Sequence, residues 1–181
     1  MLVNLVKKII LCLPLFLSGC SHYDTGIGYK TSGLDSDQKK IIENDLFWLY
    51  GLKSKIDNAL LVHMMEDFGV LQKEDDDCVR GQIACTKLFY PSTIFLTDGF
   101  FKMTKSMRVS TLFHENAHHY YRYYYHENCA DAGQEPNYNC DIKMESAYGV
   151  EVLFYQVLSR LFPDREDYKT ELNLVSRFLK K

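Results

Sequence analysis

The sequence predicts a mixed α+β fold, mainly helical with a small sheet, and three observations carry that expectation. Apolar residues recur at helical spacing in residues 35–50, 141–161 and 164–179. One run, Thr93-Ile94-Phe95-Leu96-Thr97, is β-branched and aromatic, as strands are. A third stretch, residues 108–125, contains no Gly or Pro to break a helix. The chain has 181 residues, enough for one core but not for two comfortable ones. No internal repeat or long low-complexity segment interrupts it.

Residues 1–19 read as a secretory leader. A short basic start ends in Lys7-Lys8, and the apolar run from Ile9 to Leu17 is too short to cross a bilayer as a permanent helix. Leu17-Ser18-Gly19-Cys20 resembles the lipobox of bacterial lipoproteins, in which cleavage falls before the cysteine and that cysteine takes the acyl chains. The resemblance implies lipidation of Cys20 and anchoring in a membrane. Several acyl chains on one residue hold stably where a single chain is marginal. Ser21, where an Asp would stand otherwise, resembles the pattern sorted to the outer membrane of Gram-negative bacteria, with the domain facing the periplasm. Residues 20–34 are polar and carry Gly26, Gly28 and Gly33, as a tether should, so the folded domain is expected over residues 35–181.

Export agrees with the cysteines. Of six, Cys12 leaves with the leader and Cys20 is the lipidated one, so Cys78, Cys85, Cys129 and Cys140 remain. An even remainder in an oxidising compartment reads as two disulfides. Cys78–Cys85 with Cys129–Cys140 is the favoured pairing among three, because each pair brackets a short polar loop. A zinc-thiolate site is disfavoured, since no Cys-x-x-Cys occurs. Loss of Lys7 and Lys8 leaves 19 basic residues against 24 acidic ones, a net charge of −5 that disfavours nucleic acid as a partner.

The elements follow in order. Asp35 and Gln38 stand at capping-box spacing, ahead of a stripe of Ile41, Ile42, Leu46, Leu49 and Tyr50 that Gly51 is expected to end. Residues 56–68 stay open: Ala59-Leu60-Leu61-Val62 suits a buried strand or a second helix equally. The acidic run Glu74-Asp75-Asp76-Asp77 lacks EF-hand spacing and reads as a solvated loop. The strand at residues 93–97 follows Pro91 and ends at the Asp98-Gly99 turn signal. After the uninterrupted stretch, a helix over residues 141–161 carries Met144, Ala147, Tyr148, Val152, Tyr155 and Leu158 and stops at Pro163. Asp164 is expected to cap a last helix through Tyr168, Leu172, Val175 and Leu179.

Within the uninterrupted stretch stands His114-Glu115-Asn116-Ala117-His118. On a helix, residues four apart leave the same face with Cβ atoms about 5–6 Å apart, close enough for both imidazoles to hold one metal ion. Zinc accepts neutral imidazole nitrogen, and Glu115, beside the ligand line, is placed to deprotonate a water there. The chemistry implied is hydrolysis. Tyr120-Tyr121-Arg122-Tyr123-Tyr124-Tyr125 and Tyr148 are candidates to wall a cleft or donate to a developing oxyanion, although such a run is more often helix packing.

Catalytic zinc usually takes three protein ligands. A metzincin continuation would place Gly at 121 and His at 124, where Tyr121 and Tyr124 stand, so a carboxylate from a later helix is the remaining option. Glu127 lies too near along the same helix, and Glu135 sits in a Gly/Pro/Asn loop. Glu145 is the preferred candidate and Glu151, on a different face, the reserve.

Strand, Asp-Gly turn, helix with His114-Glu115-x-x-His118, and second helix with Glu145 together resemble gluzincin-type zinc metallopeptidases over roughly residues 78–161. The resemblance implies a zincin-like α+β domain holding one Zn²⁺ on His114, His118 and Glu145, with Glu115 as general base in peptide-bond hydrolysis. It also implies that the strand at residues 93–97 lies at the sheet edge, where a peptide or protein substrate adds as a further strand. Gly149 stands four after Glu145, where thermolysin-like enzymes carry Asp, so the partner that orients the histidines is not given by the pattern. The alternative from another class is a non-catalytic zinc-binding envelope lipoprotein that acts as an interaction module.

Overall fold

A computed structural model of the chain describes residues 27–74, 78, 82–90, 92–122, 127–129, 137–140 and 144–179. The expected leader and Cys20 lie outside the described residues. The fold is mixed α and β. β1 (Gly28–Ser32), β2 (Asp67–Lys73), β3 (Ala84–Thr86) and β4 (Thr93–Leu96) form one sheet in the order β1-β2-β4-β3. β1, β2 and β4 run parallel, and β3 runs antiparallel to β4. The helices are α1 (Ser36–Leu52), α2 (Ala59–Met64), α3 (Asp98–Phe101), α4 (Lys105–Tyr121), α5 (Ala147–Leu161) and α6 (Glu166–Ser176). β5 (Glu127–Cys129) and β6 (Asn137–Cys140) pair as a separate antiparallel ribbon. No helix among the described residues is long and apolar enough to cross a membrane.

The capping box at the start of α1 forms as its spacing predicts. Asp35 accepts from the Gln38 N–H at 2.8 Å, and the Gln38 side chain accepts from the Asp35 N–H at 3.1 Å. Ile42, Leu46, Leu49 and Leu52 bury on one face, and the helix runs through Gly51 to Leu52. The open segment resolves as a helix: Asn58 caps α2 by accepting from the Leu61 N–H.

Several expectations are corrected. The tether was expected to reach residue 34, yet Ile27 and Leu34 are buried and Gly28–Ser32 is an edge strand of the sheet. Within it only Tyr29 packs partly on the core, so backbone pairing to β2 holds most of the strand and leaves little apolar signature. β2 carries no strand pattern either: Gly69, Gln72 and Lys73 dilute it, while Phe68 and Leu71 bury.

The strand before the motif helix is interior, not at the edge. All four residues of β4 are buried and it is hydrogen-bonded to β2 on one side and β3 on the other, so no peptide can add to it. A run apolar at nearly every position fits a strand covered on both faces. The edge nearest α4 belongs to β3. Asp98-Gly99 opens the short helix α3 instead of a simple turn. α4 stops at Tyr121 because Arg122 takes a left-handed conformation with φ of 54°. The next helix begins at Ala147, capped by Ser146, so Met144 and Glu145 precede it. Arg165, not Asp164, stands at the N-cap of α6, and Leu179 lies beyond its end.

Cys78 and Cys85 are joined by a disulfide with Cα atoms 5.8 Å apart, which ties the preceding loop to β3. The side chains of Cys129 and Cys140 lie outside the described residues. Asp75-Asp76-Asp77 does too, while Glu74 pairs with Lys87 at 2.8 Å.

α4 is the hub, packed on α1, α2, α5, β3 and β4. Val109, Leu112 and Phe113 on it are fully buried, and Phe113 meets Phe68 of β2 and Phe154 of α5 ring to ring. Its first turn is held to α1 by a two-point ion pair. Arg108 Nε donates to Asp45 Oδ2 at 2.6 Å and Nη2 donates to Oδ1 at 2.9 Å, with Asp45 fully buried. Burial pushes the Asp45 carboxyl up, and Arg108 pulls against it. Truncating one partner of such a pair leaves a charge buried alone. Asp45→Ala should therefore destabilise by about 3–5 kcal/mol, read from the urea midpoint; a loss near zero would show that the pair does not fasten α4. The mature protein, denatured without reductant, should titrate no free thiols, whereas two would show that Cys129 and Cys140 are not joined.

Candidate metal centre

His114, Glu115 and His118 all lie in the second half of α4 and are each only 7–8% exposed. Three adjacent polar side chains buried to that degree need partners. The helix was expected to place both histidines on one face, and it does: their ring centroids are 5.1 Å apart at 74°.

His114 is fixed from three sides. Its Nδ1 lies 3.1 Å from Glu151 Oε2, and Glu151 Oε1 accepts from Ser110 Oγ at 3.0 Å. An ionised carboxylate only accepts, so the His114 proton sits on Nδ1 and the Nε2 lone pair faces away from Glu151. The Tyr148 ring meets the imidazole edge-on at 4.7 Å, and Phe178 stacks on the far side of Tyr148 at 4.9 Å. Helical spacing explains the assembly. Ser106, Ser110 and His114 form an i, i+4, i+8 stripe on α4, and Glu151 and Tyr155 stand four apart on the facing side of α5.

Tyr155 closes the far end of this network. Burial holds its hydroxyl protonated far above the usual phenol range, with the Glu151 and Glu171 carboxylates adding to the shift and hydrogen bonding with Ser110 and Ser106 opposing it. Glu171 of α6 is itself pushed up by burial and by the charges of Glu151 and Asp167. On sequence grounds Glu151 is only a reserve ligand, and Ser110 and Tyr155 are not among the candidate residues. The usable signal was polar residues four apart on faces otherwise apolar.

The rest of the motif is structural. Asn116 Nδ2 donates to the carbonyls of Met64 and Asp67 at 2.9 and 3.1 Å, stitching α4 to the join of α2 and β2. Ala117 is buried where a larger side chain would push α4 off its neighbours. His119 Nε2 donates to the Thr93 carbonyl of β4 at 3.2 Å, and burial lowers its pKa, opposed by that bond.

Glu145 is exposed, in the bend just before α5. The Tyr121 hydroxyl, at the last residue of α4, is pushed up first by burial and then by the charge of Glu145. Gly149 sets that bend: a Cβ there would meet the Met144 carbonyl oxygen at 2.1 Å. Among the described residues, no three His, Cys, Asp or Glu side chains converge on one point. Tyr120 is about half exposed and rests edge-on against His63, and residues 123–126, like Glu135, lie outside the described residues.

The chain matches no protein-family model, no curated protein and no solved structure.

The hydrogen bond from Nδ1 has a direct readout. In the metal-free protein, the ¹⁵N shifts of His114 should report the Nδ1–H tautomer, and Glu151→Ala should convert it to a mixture while leaving the His119 signals in place. An Nε2–H tautomer in the unmodified protein would contradict the arrangement.

Proposed function

We propose that the chain is a zinc-dependent metallopeptidase, lipid-anchored through Cys20 at the cell envelope and hydrolysing peptide bonds with Glu115 as general base. The observation that carries this reading is the Glu151–His114 hydrogen bond. Metal-ligating histidines characteristically give their second ring N–H to a carboxylate, which fixes the tautomer and raises the basicity of the ligating nitrogen. A histidine serving only as core filling has no need of that arrangement beside a second histidine one turn away.

The donor set fits zinc. His114 and His118 are the two imidazole ligands, and Glu145, whose charge is felt at Tyr121 in the last turn of α4, is the carboxylate proposed to complete the set. Zinc, when bound, supplies the Lewis-acid charge that makes water nucleophilic near neutral pH. The chain does the remainder. Glu151 and Ser110 hold His114 in one orientation, so the site loses little entropy on assembly. Glu115, buried beside the histidines, takes the proton of the attacking water and returns it to the leaving amine. Tyr148, held between His114 and Phe178, is the tyrosine best placed to wall the substrate or to donate to the oxyanion. A substrate backbone can add only at an edge of the sheet, and β3 is the edge that lies against α4.

Metal content and cleavage of a generic protein substrate test the reading together. His118→Ala should remove one equivalent of zinc, whereas Glu115→Gln should retain it and abolish cleavage. Glu145→Ala should weaken zinc binding strongly and Glu151→Ala by about 10–100-fold, with Glu135→Ala unchanged. Zinc binding without cleavage would leave the non-catalytic module, and equal metal loss in His118→Ala and Glu115→Gln would remove the division of roles.

A further inference from the structure

Leu88, Phe89 and Tyr90 are 54%, 87% and 55% exposed, three consecutive large apolar side chains in the loop between β3 and β4. Leu88 and Phe89 take no part in the core. The Tyr90 N–H donates to the Lys87 carbonyl at 3.0 Å, so residues 87–90 form a tight turn with Leu88 and Phe89 at its two corners. Turn corners ordinarily carry Gly, Pro, Asn or Asp.

The turn stands on a fixed base. The Ser92 carbonyl accepts from the Val70 N–H at 2.7 Å and presses so close to Gly69 that a Cβ there would lie 2.1 Å from it. Tyr90 packs edge-on against the buried ring of Phe95 at 5.6 Å, and Lys87 lies over the same ring while pairing with Glu74. The two corner side chains are therefore held out into solvent by a braced loop.

Topology says what they face. Because β1, β2 and β4 are parallel, they start at the same end of the sheet, and antiparallel β3 finishes there. The turn at 87–90, which joins the end of β3 to the start of β4, thus lies at the end where the chain joins the sheet at Gly28. Adjacent strands are about 4.8 Å apart, which places the turn roughly 10–15 Å across the sheet from that point. Only six residues separate Cys20 from Ile27, seven steps that span at most about 25 Å. An acylated Cys20 would tether this end of the domain within reach of the lipid.

We propose that Leu88 and Phe89 form a second contact with the bilayer, inserting into the acyl boundary of a phospholipid surface with Tyr90 at headgroup level. The proposal rests on the reading of Cys20 as the lipid anchor. A chain with two footholds is fixed in orientation where one tether would leave it free to tumble, and the same end of the sheet carries the second half of α4, through Asn116 on Asp67 and His119 on Thr93. Docking would therefore set the height of the histidines above the membrane. Lys87 is already paired and the mature chain is acidic overall, so the contact is apolar and needs no anionic lipid.

The test uses the full chain, purified with its anchor and reconstituted in phosphatidylcholine vesicles, with and without bromine on the acyl chains. Phe89→Trp adds a fluorophore at a position that is almost wholly exposed, read after subtraction of the Trp48 signal of the unmodified protein. Leu88→Trp is the companion variant, and Lys102→Trp, exposed at the opposite end of the sheet just after α3, is the reference. Bromine should quench the emission added by Phe89→Trp and Leu88→Trp several-fold more than that added by Lys102→Trp, with little dependence on salt. Equal quenching at all three positions, or none, overturns the proposal, as it would if the loop met a protein partner or a peptide in place of lipid. The mass of the Cys20 peptide reads the anchor separately. Selective quenching with an unacylated Cys20 would retain the bilayer contact and reject the anchor, whereas an acylated Cys20 without selective quenching would reject the contact alone.

Discussion

One helix has to serve as core and as site at once, and the Glu151–His114 hydrogen bond is what makes the two compatible. α4 packs on α1, α2, α5 and two strands, so its inward positions are water-free, yet one inward stripe carries Ser106, Ser110 and His114. Unpaired, each of these groups would cost about 1–3 kcal/mol. α5 answers the stripe with Glu151 and Tyr155 at matching spacing, and the packing of α4 on α5 then becomes register-specific. Sliding either helix by one turn would strand a carboxylate among apolar side chains.

The other polar contacts of α4 serve the same end. Asp45–Arg108 fastens its first turn to α1, Asn116 fastens its fourth to carbonyls at the end of α2 and the start of β2, and His119 fastens its last to the start of β4. Between these points the aromatic cluster of Phe68, Phe113 and Phe154 supplies the non-directional part of the packing. The histidine pair is thereby carried on a helix with little freedom to shift, which is what a site that must hold its geometry requires.

How much was legible depended on whether the signal was local. The capping box of Asp35 and Gln38, the existence of α1, α4, α5 and α6, the buried run at β4, the Cys78–Cys85 bridge and the common face of His114 and His118 follow from spacing and composition over a few residues. β1 resembles a tether in sequence because, as an edge strand, it is held mostly by backbone pairing and buries only part of Tyr29. β2 was missed because Gly69, needed where the Ser92 carbonyl comes close, looks like a turn. Arg165 replaced Asp164 at the last N-cap, a one-residue difference that terminal fraying makes ordinary.

By itself the sequence determined the chemistry on offer: two imidazoles one turn apart, a carboxylate beside them, and cysteines in even number. These are properties of chain neighbours, fixed by helical periodicity and residue type. Only the tertiary structure decided which strand is covered, which edge is open, and which carboxylate holds His114. Glu151 lies 37 residues from His114 along the chain, and no periodicity connects residues on different helices. The same holds for the exposed corners at Leu88 and Phe89, which read as ordinary apolar residues until the parallel order of β1, β2 and β4 puts them at the end of the sheet where the chain arrives. Pairing between distant segments is set by the global minimum of packing and hydrogen bonding, and that is a property of the folded chain as a whole.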